Sequence, residues 1–457
     1  MTELREGEGK TAAAMLVTIF LLLASYYMLK VARETEVLKD AGLFALRGAE
    51  LKALARGVQA VFLAAVFIPL YSRFSAAVPR RWLIVGMTLF FAMNIELFWL
   101  LSTRGVANVG FYFYVWVGIF NVSMIAQFWS YANDIYHGES GRRLFPFIMV
   151  GASLGGVAGV LADRYIKNIS YFDSNPFAAL HIAAGLLLLS LGFFLLVERR
   201  EATGAGARIA GEPLALGNGL VRLLQSPYLR LIALMLVLLN LVNSTGEYLL
   251  DTYILQNAGE VAAAAVSAAG VLADSEAGQA AWQSAHRASI NHSWNTFYLV
   301  VNVTALVLQA FIASRVVRYA GLRATLFLLP VVAFGTYGLA AVGVGFLAFA
   351  SLKAAENATD YSIYNTVRQL LWLPTSREEK YQAKQAADTI FTRLGDALHS
   401  VVILVGTGVV ALAPRGFAVL NLVFVVLWLV TVVALAREYR KVRHLAFADD
   451  GGAATAS

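Results

Sequence analysis

The chain has 457 residues, of which 59% are hydrophobic and 14% charged, and a mean hydropathy of +0.66, a balance that excludes an ordinary water-soluble domain. It contains no cysteine, so disulfides, thiolate metal centres and cysteine nucleophiles are excluded. Its net charge of +7 is what cationic loops on one side of a membrane produce, and it calls for no nucleic-acid partner.

Crossing bilayer hydrocarbon takes about 20 apolar helical residues. Twelve stretches of that kind follow one another: Thr11–Lys30, Ala55–Phe74, Trp82–Ser102, Ala107–Asp134, Leu144–Asp163, Phe177–Val197, Leu229–Ile254, Trp294–Ser314, Leu322–Val342, Gly345–Leu371, Ala386–Leu412 and Gly416–Ala436. Lipid offers the backbone no hydrogen-bond partner, so each is predicted to be a helix. The fold class is therefore an all-α polytopic membrane protein of about 12 transmembrane helices.

The polar linker 199–228 divides the helices six against six: an N-terminal bundle over 1–198 and a C-terminal bundle over 229–445. The Ala-rich insertion 256–293 reads as an extracytoplasmic loop with short helices, and 446–457 as a disordered tail. With both termini cytoplasmic, most of the 36 Lys and Arg residues fall in inner loops, as the positive-inside rule requires. The first apolar stretch is too long for a cleavable signal and runs into charge. Ser72-Arg73…Arg81 and Ser314-Arg315…Arg323 stand at corresponding places in the two halves, as do Ala132-Asn133-Asp134 and Ala358-Thr359-Asp360. This echo predicts two structural repeats with a central site between them.

Charge inside a membrane costs on the order of 2.5–3.5 kcal/mol by insertion scales, so intramembrane charges are functional candidates. The first helix ends in Lys30, Arg33 and Glu34. The seventh carries Asn240, Asn243, Glu247 and Asp251 on one face, and the tenth Lys353, Glu356, Asp360 and Arg368. The eleventh holds Asp388, Arg393, Asp396 and His399. Lys353–Glu356 and Arg393–Asp396 have the spacing of local ion pairs. Glu247 has no cation on its own helix and is the stronger functional candidate, facing the Lys30/Arg33 cluster. Glu96 receives no role.

Other patterns are structural. Gly9-Lys10-Thr11 lacks the earlier glycine of a phosphate loop, since Leu4 stands there. Gly151, Gly155 and Gly159 suit close helix packing. His399 lacks the companions a metal would need, so no metal or cofactor is expected.

The polar helix ends resemble the ATP/ADP translocase family of nucleotide transporters. Tyr26-x-x-Leu29-Lys30-x-x-Arg33-Glu34 is similar to the family's Tyr-x-x-Leu-Arg-x-x-Lys-Asp. Phe128-Trp129-Ser130-Tyr131-Ala132-Asn133, followed by a basic pair and Phe145-Pro146, resembles its Phe-Trp-Gly-Phe-Ala-Asn segment. The longest match, Tyr361 to Gly395, retains Tyr361-Ser362, Arg368, Pro374, Lys380, Lys384, Ala386, Asp388, Arg393 and Leu394-Gly395.

The resemblance implies a major-facilitator-like pair of pseudo-symmetric bundles exchanging nucleotides or related organic phosphate anions by alternating access. It assigns substrate binding to Arg33 with Lys30, to Glu247 and to Lys384; Asn133 and Arg393, which lie in the matching segments, are further substrate-binding candidates. Departures are Asp360, Asn365, Asp396 and Ala383, which make the site less positive and leave Asp360, Asp388 and Asp396 as candidates for proton coupling. The chain is thus read as a non-enzyme, a monomer of the bacterial inner membrane whose partners are an anionic small molecule and lipid. Alternatives are a proton-coupled transporter of a lipid, drug or peptide, and a transport-inactive sensor. A membrane enzyme acting on a lipid-linked phosphate would need a convergent acid, base or metal cluster that the sequence lacks.

Overall fold

The computed structural model describes residues 8–40, 42–75, 77–136, 138–167, 169, 172, 176–200, 216–375, 379 and 383–454. Among these the elements are helical, and no strand is formed. In chain order they are α1 (Glu8–Lys39), α2 (Gly48–Phe62), α3 (Ile68–Ser75), α4 (Arg80–Thr103), α5 (Val109–Ile135), α6 (Gly138–Ile166), α7 (Leu180–Arg200) and α8 (Leu216–Gln225). They continue with α9 (Pro227–Ala268), α10 (Glu276–Val307), α11 (Ala313–Val342), α12 (Phe346–Thr359), α13 (Asn365–Leu370), α14 (Lys384–Ala386), α15 (Thr392–Gly408) and α16 (Pro414–Ala454). Single π turns join α2 to α3, α10 to α11, α12 to α13 and α14 to α15.

Ten helical runs among the described residues are long and apolar enough to cross a membrane. One of them, Glu276–Val342, is 67 residues long and holds two of the expected stretches. It breaks at Gly321, whose φ of 76° is outside the helical range. The expected stretch Gly345–Leu371 is helical but interrupted by the π turn at Asp360–Tyr364.

Two expected loops are helix instead. In the insertion 256–293, α9 runs on to Ala268 and α10 starts at Glu276, leaving only a turn. Alanine is the best helix former, so this segment extends its neighbours rather than looping. At 42 residues, roughly 63 Å, α9 is about twice the hydrocarbon thickness. The segment between the first two apolar stretches, 31–54, is mostly the end of α1 and the start of α2. Helix α16 reaches Ala454, past the point where a loose tail is expected; most of the linker, 201–215, lies outside the described residues.

Two compact units emerge. The first comprises Met1–Ala55, Phe67–Pro213 and Leu255–Asn302; the second comprises Arg56–Val66, Leu214–Ile254 and Val303–Ser457. In the first unit α1 packs against α5, α6 and α7 around a core rich in aromatic rings, including Phe91, Phe98, Phe113, Trp116 and Phe120. In the second, α11 lies against α12 and α16. Leu89, Phe90, Met93 and Leu97 on α4 and Val419, Val423, Val426 and Val430 on α16 are exposed at helical spacing. Such apolar stripes would be a liability in water and are what lipid requires.

The α1–α6 contact depends on the expected glycine stripe. A Cβ at Gly151, Gly155 or Gly159 would run into the backbone carbonyl of Leu16, Phe20 or Ala24 respectively. Replacing Gly155 with valine is expected to cost at least the roughly 1–3 kcal/mol of an overpacked core. Gly185→Val on α7, where the surroundings are open, is the control. Thermal unfolding of the purified protein should show a lowered midpoint for the first variant only.

Asp40, just after α1, accepts hydrogen bonds from the backbone N–H groups of Gly110 and Phe111 at the start of α5. Burial nevertheless pushes its carboxyl up to about 6, because desolvation outweighs those bonds. The folded state therefore holds a proton that the unfolded chain releases between about pH 4 and 6, and this site loses stability as pH rises through that window. The melting temperature of Asp40→Asn relative to wild type should climb from pH 4 to pH 6.5; a constant difference would contradict the shift.

Candidate functional site

Within the first unit, three cations and a carboxylate meet near the end of α1. Glu34 is wholly buried, and its carboxylate receives Lys52 Nζ at 2.7 Å, Arg33 Nε at 3.1 Å and the Tyr298 hydroxyl at 3.1 Å. Aromatic faces back the cations. Lys52 Nζ lies 4.1 Å from the Trp294 ring centroid, Lys30 Nζ 4.2 Å from Tyr298, and the Arg33 guanidinium 4.5 Å from Tyr114. The ring quadrupole stabilises a cation sheltered from water. Lys30, Arg33 and Lys52 are all buried.

Within the second unit, Glu247 is ion-paired with Arg56 of α2. The next residue back, Gly246, lies against the Tyr337 hydroxyl and Lys353 Nζ. Lys353, with no exposure, donates to Asn243 Oδ1 at 2.8 Å, Glu356 Oε1 at 2.8 Å and the Tyr337 hydroxyl at 3.1 Å. Asp396 accepts from Ser244 at 2.7 Å and sits 3.5 Å from Arg393; His399 contacts Thr245 at 3.3 Å. Asp360 stands 3.7 Å from Arg368.

The expected residues thus separate into groups. Lys30 and Arg33 share the Glu34 cluster. Glu247, expected to face them, has Arg56 as its cation. The Lys353–Glu356 and Arg393–Asp396 pairs form as their spacing predicts. Lys384 hydrogen-bonds Gln369, and Asp388 is exposed on the π turn between α14 and α15. Asn133 is exposed on α5 beside Asp134, which pairs with Arg80. Gly110 packs on the backbone of Glu36, so Asn133, about 23 residues further along α5, lies roughly 35 Å from that end of α1. Glu96 meets His181 at 2.6 Å. Lys380 lies outside the described residues.

Sequence reasoning missed Lys52, Arg56, Trp294 and Tyr298. Lys52 and Arg56 are four residues apart on one helix, a signal hidden because Lys52 falls outside the apolar stretch Ala55–Phe74.

This constellation supplies buried positive charge on rigid helices with hydrogen-bond donors and aromatic faces, suited to holding an anion. It offers no nucleophile–base pair, and no group of three metal-ligating side chains occurs among the described residues.

Comparison with known proteins agrees on the class. The fold is similar to that of solved transporters: a bacterial homologue of the iron transporter ferroportin in an inward-facing state (TM-score 0.63, 13% identity, 94% of this chain and 100% of that one) and a POT family transporter in complex with 5-aminolevulinic acid (0.62, 14%, 94% and 96%). A mutant form of the nucleoside transporter NupG is similarly close (0.61, 14%, 94% and 99%). Residues 292–439 match the TLC ATP/ADP transporter family. ADP,ATP carrier protein 1 of Chlamydia pneumoniae is 19% identical over 373 residues, covering 72% of this chain and 67% of the carrier. The carrier of the same name from Chlamydia muridarum (strain MoPn / Nigg) is 20% identical over 362 residues, covering 70% and 63%. The chain therefore spans about two thirds of these relatives' length. The resemblance carried by the helix ends is supported: residues 292–439 match the ATP/ADP transporter family model, and the chain is similar to carriers of that kind over most of its length.

Arg56 and Glu247 are each about one-tenth exposed, so losing one partner strands the other in a poorly solvated place. Arg56→Met or Glu247→Met alone should destabilise the protein by several kcal/mol, about 3–5 for a fully buried pair. The double variant should recover most of that loss in thermal unfolding; additive losses would show that the pair does not act as a unit.

Proposed function

We propose that the chain is a secondary transporter that exchanges ATP/ADP-like nucleotides, or related organic phosphate anions, across a bacterial inner membrane by alternating access, with both termini cytoplasmic. The observation that carries the reading is the Glu34 cluster, in which Arg33 and Lys52 hold one buried carboxylate and Lys30 stands over the ring of Tyr298, whose hydroxyl donates to it. A nucleotide's phosphates lose hydration on entering a membrane protein, and guanidinium and ammonium donors replace it. Glu34 then acts as the resident counter-ion that keeps Arg33 and Lys52 charged and positioned when substrate is absent. Phosphate oxygens displace it from those cations on binding. Tyr298, Trp294 and Tyr114 offer rings for stacking a base. The names of the Chlamydia relatives support the nucleotide as cargo.

Proton coupling is the weaker reading, because Asp360 and Asp396 already stand beside Arg368 and Arg393. Lys384 and Arg393 are the remaining cationic candidates.

Purified protein in proteoliposomes should take up labelled ADP faster when unlabelled ATP or ADP is loaded inside. Lys52→Met and Arg33→Met each remove a charge-assisted hydrogen bond and should lower uptake about ten- to hundredfold. Unchanged exchange in both variants would sink the site assignment. Uptake needing a pH step and no counter-substrate would favour the proton-coupled alternative.

A further inference from the structure

A polar cavity lies wholly within the first unit. It has a volume of about 350 Å³ and is lined by Thr35 and Glu36 of α1, Arg164 and Lys167 from the end of α6, Phe172, and a face of α10 bearing Arg287, Ala288, Asn291, His292 and Asn295. We propose that it is a binding site for an organic phosphate, a phosphate ester that carries hydroxyl groups.

The charges are arranged for an anion. The acidic side chains are already engaged: Glu36 pairs with Lys39, and Asp163 takes Lys167 at 2.9 Å and Asn295 Nδ2 at 3.2 Å. Arg164 and Arg287 make no hydrogen bond or ion pair among the described residues, and Arg287 lies close enough to Lys39 to repel it. Two uncommitted guanidinium forks at one cavity match the oxygens of a phosphate.

A second observation is independent of charge. Asn295 is 1% exposed, and its amide nitrogen is spent on Val160 O and Asp163, while its Oδ1 has no partner. A buried acceptor left alone costs about 1–3 kcal/mol, and a ligand O–H would satisfy it. Guanidinium forks beside an acceptor select a phosphate ester with hydroxyls over bare phosphate. Such a group occurs both in soluble sugar or nucleoside phosphates and in the glycerol headgroup of an anionic phospholipid. None of the residues lining it belongs to the Glu34 cluster, and the proposal does not rest on the exchange reading.

The chain has no cysteine, so one introduced thiol reports on this cavity alone. Ala288 is small, exposed and on the cavity wall. In full-length Ala288→Cys protein the rate of N-ethylmaleimide labelling is measured in detergent with glycerol 3-phosphate, ADP or inorganic phosphate. It is measured again in vesicles of phosphatidylglycerol or phosphatidylcholine. A ligand at ten times its Kd should slow labelling about tenfold. Protection by the soluble esters identifies a free organic phosphate; protection confined to phosphatidylglycerol vesicles identifies a lipid headgroup. Either upholds the site. Adding Arg164→Ala and Arg287→Ala should restore the unprotected rate, with the melting temperature confirming that this variant is folded. Equal rates under all conditions, or protection that survives loss of both arginines, would overturn the proposal. The single-cysteine protein decides the first question even if the arginine variants fail to fold.

Discussion

A carboxylate with no access to water dominates the first unit. Left alone, Glu34 would carry a desolvation penalty larger than most single interactions in a protein. Its neutralisation requires groups from three separate helices: Arg33 on α1, Lys52 on α2 and the Tyr298 hydroxyl on α10. Satisfying one charge therefore fixes where α2 begins and where the first half of α10 must lie. The segment Leu255–Asn302 belongs to the first unit, far from it in sequence, for this reason. Further ties repeat the logic, with Asn295 reaching Asp163 and Asn291 reaching Thr35.

The second unit obeys the same constraint from the other side. Arg56–Val66 belongs to it although the residues just before do not, because Arg56 completes Glu247 and Gly57 packs tightly on Ser400. Deeper in, the fully buried Lys353 is coordinated by an amide, a phenol and a carboxylate, with Tyr337 bonded to Glu356 as well. A network in which each member holds another is rigid, and the low dielectric that makes each bond strong makes any gap costly. Glu247 borders this network through Gly246, where a methyl group would collide with Tyr337.

The membrane helices were legible because lipid imposes a single rule on the backbone, and the rule acts through composition. The Gly151–Gly155–Gly159 stripe and the two local ion pairs were readable for a similar reason: one helix's own spacing determines them. The partner of Glu247 was not readable in this way. It depends on α2 starting at Gly48, which hydropathy cannot reveal, because Lys52 and Arg56 make the start of that helix look like a polar loop. Extended helices at 256–293 were hidden by the same habit of treating polar, Ala-rich sequence outside the apolar window as loop. Contacts between helices distant in sequence, such as Tyr298 with Glu34, leave no periodic trace at all.

The departures from the family pattern also look different once their neighbours are known. Asp360 and Asp396 stand where the family usually has cations, and by charge counting alone they would make a substrate site less positive. Asp360 faces Arg368 and Asp396 faces Arg393 and Ser244, so each carboxylate is spent on a cation of its own unit. What they alter is how freely Arg368 and Arg393 could engage an incoming anion. The Glu34 cluster has no corresponding substitution: the order of cation, cation and carboxylate at Lys30, Arg33 and Glu34 follows the family's. The family's order of charges is therefore better preserved at the end of α1 than along the segment from Asp360 to Asp396, even though the second segment is where the sequence match is longest.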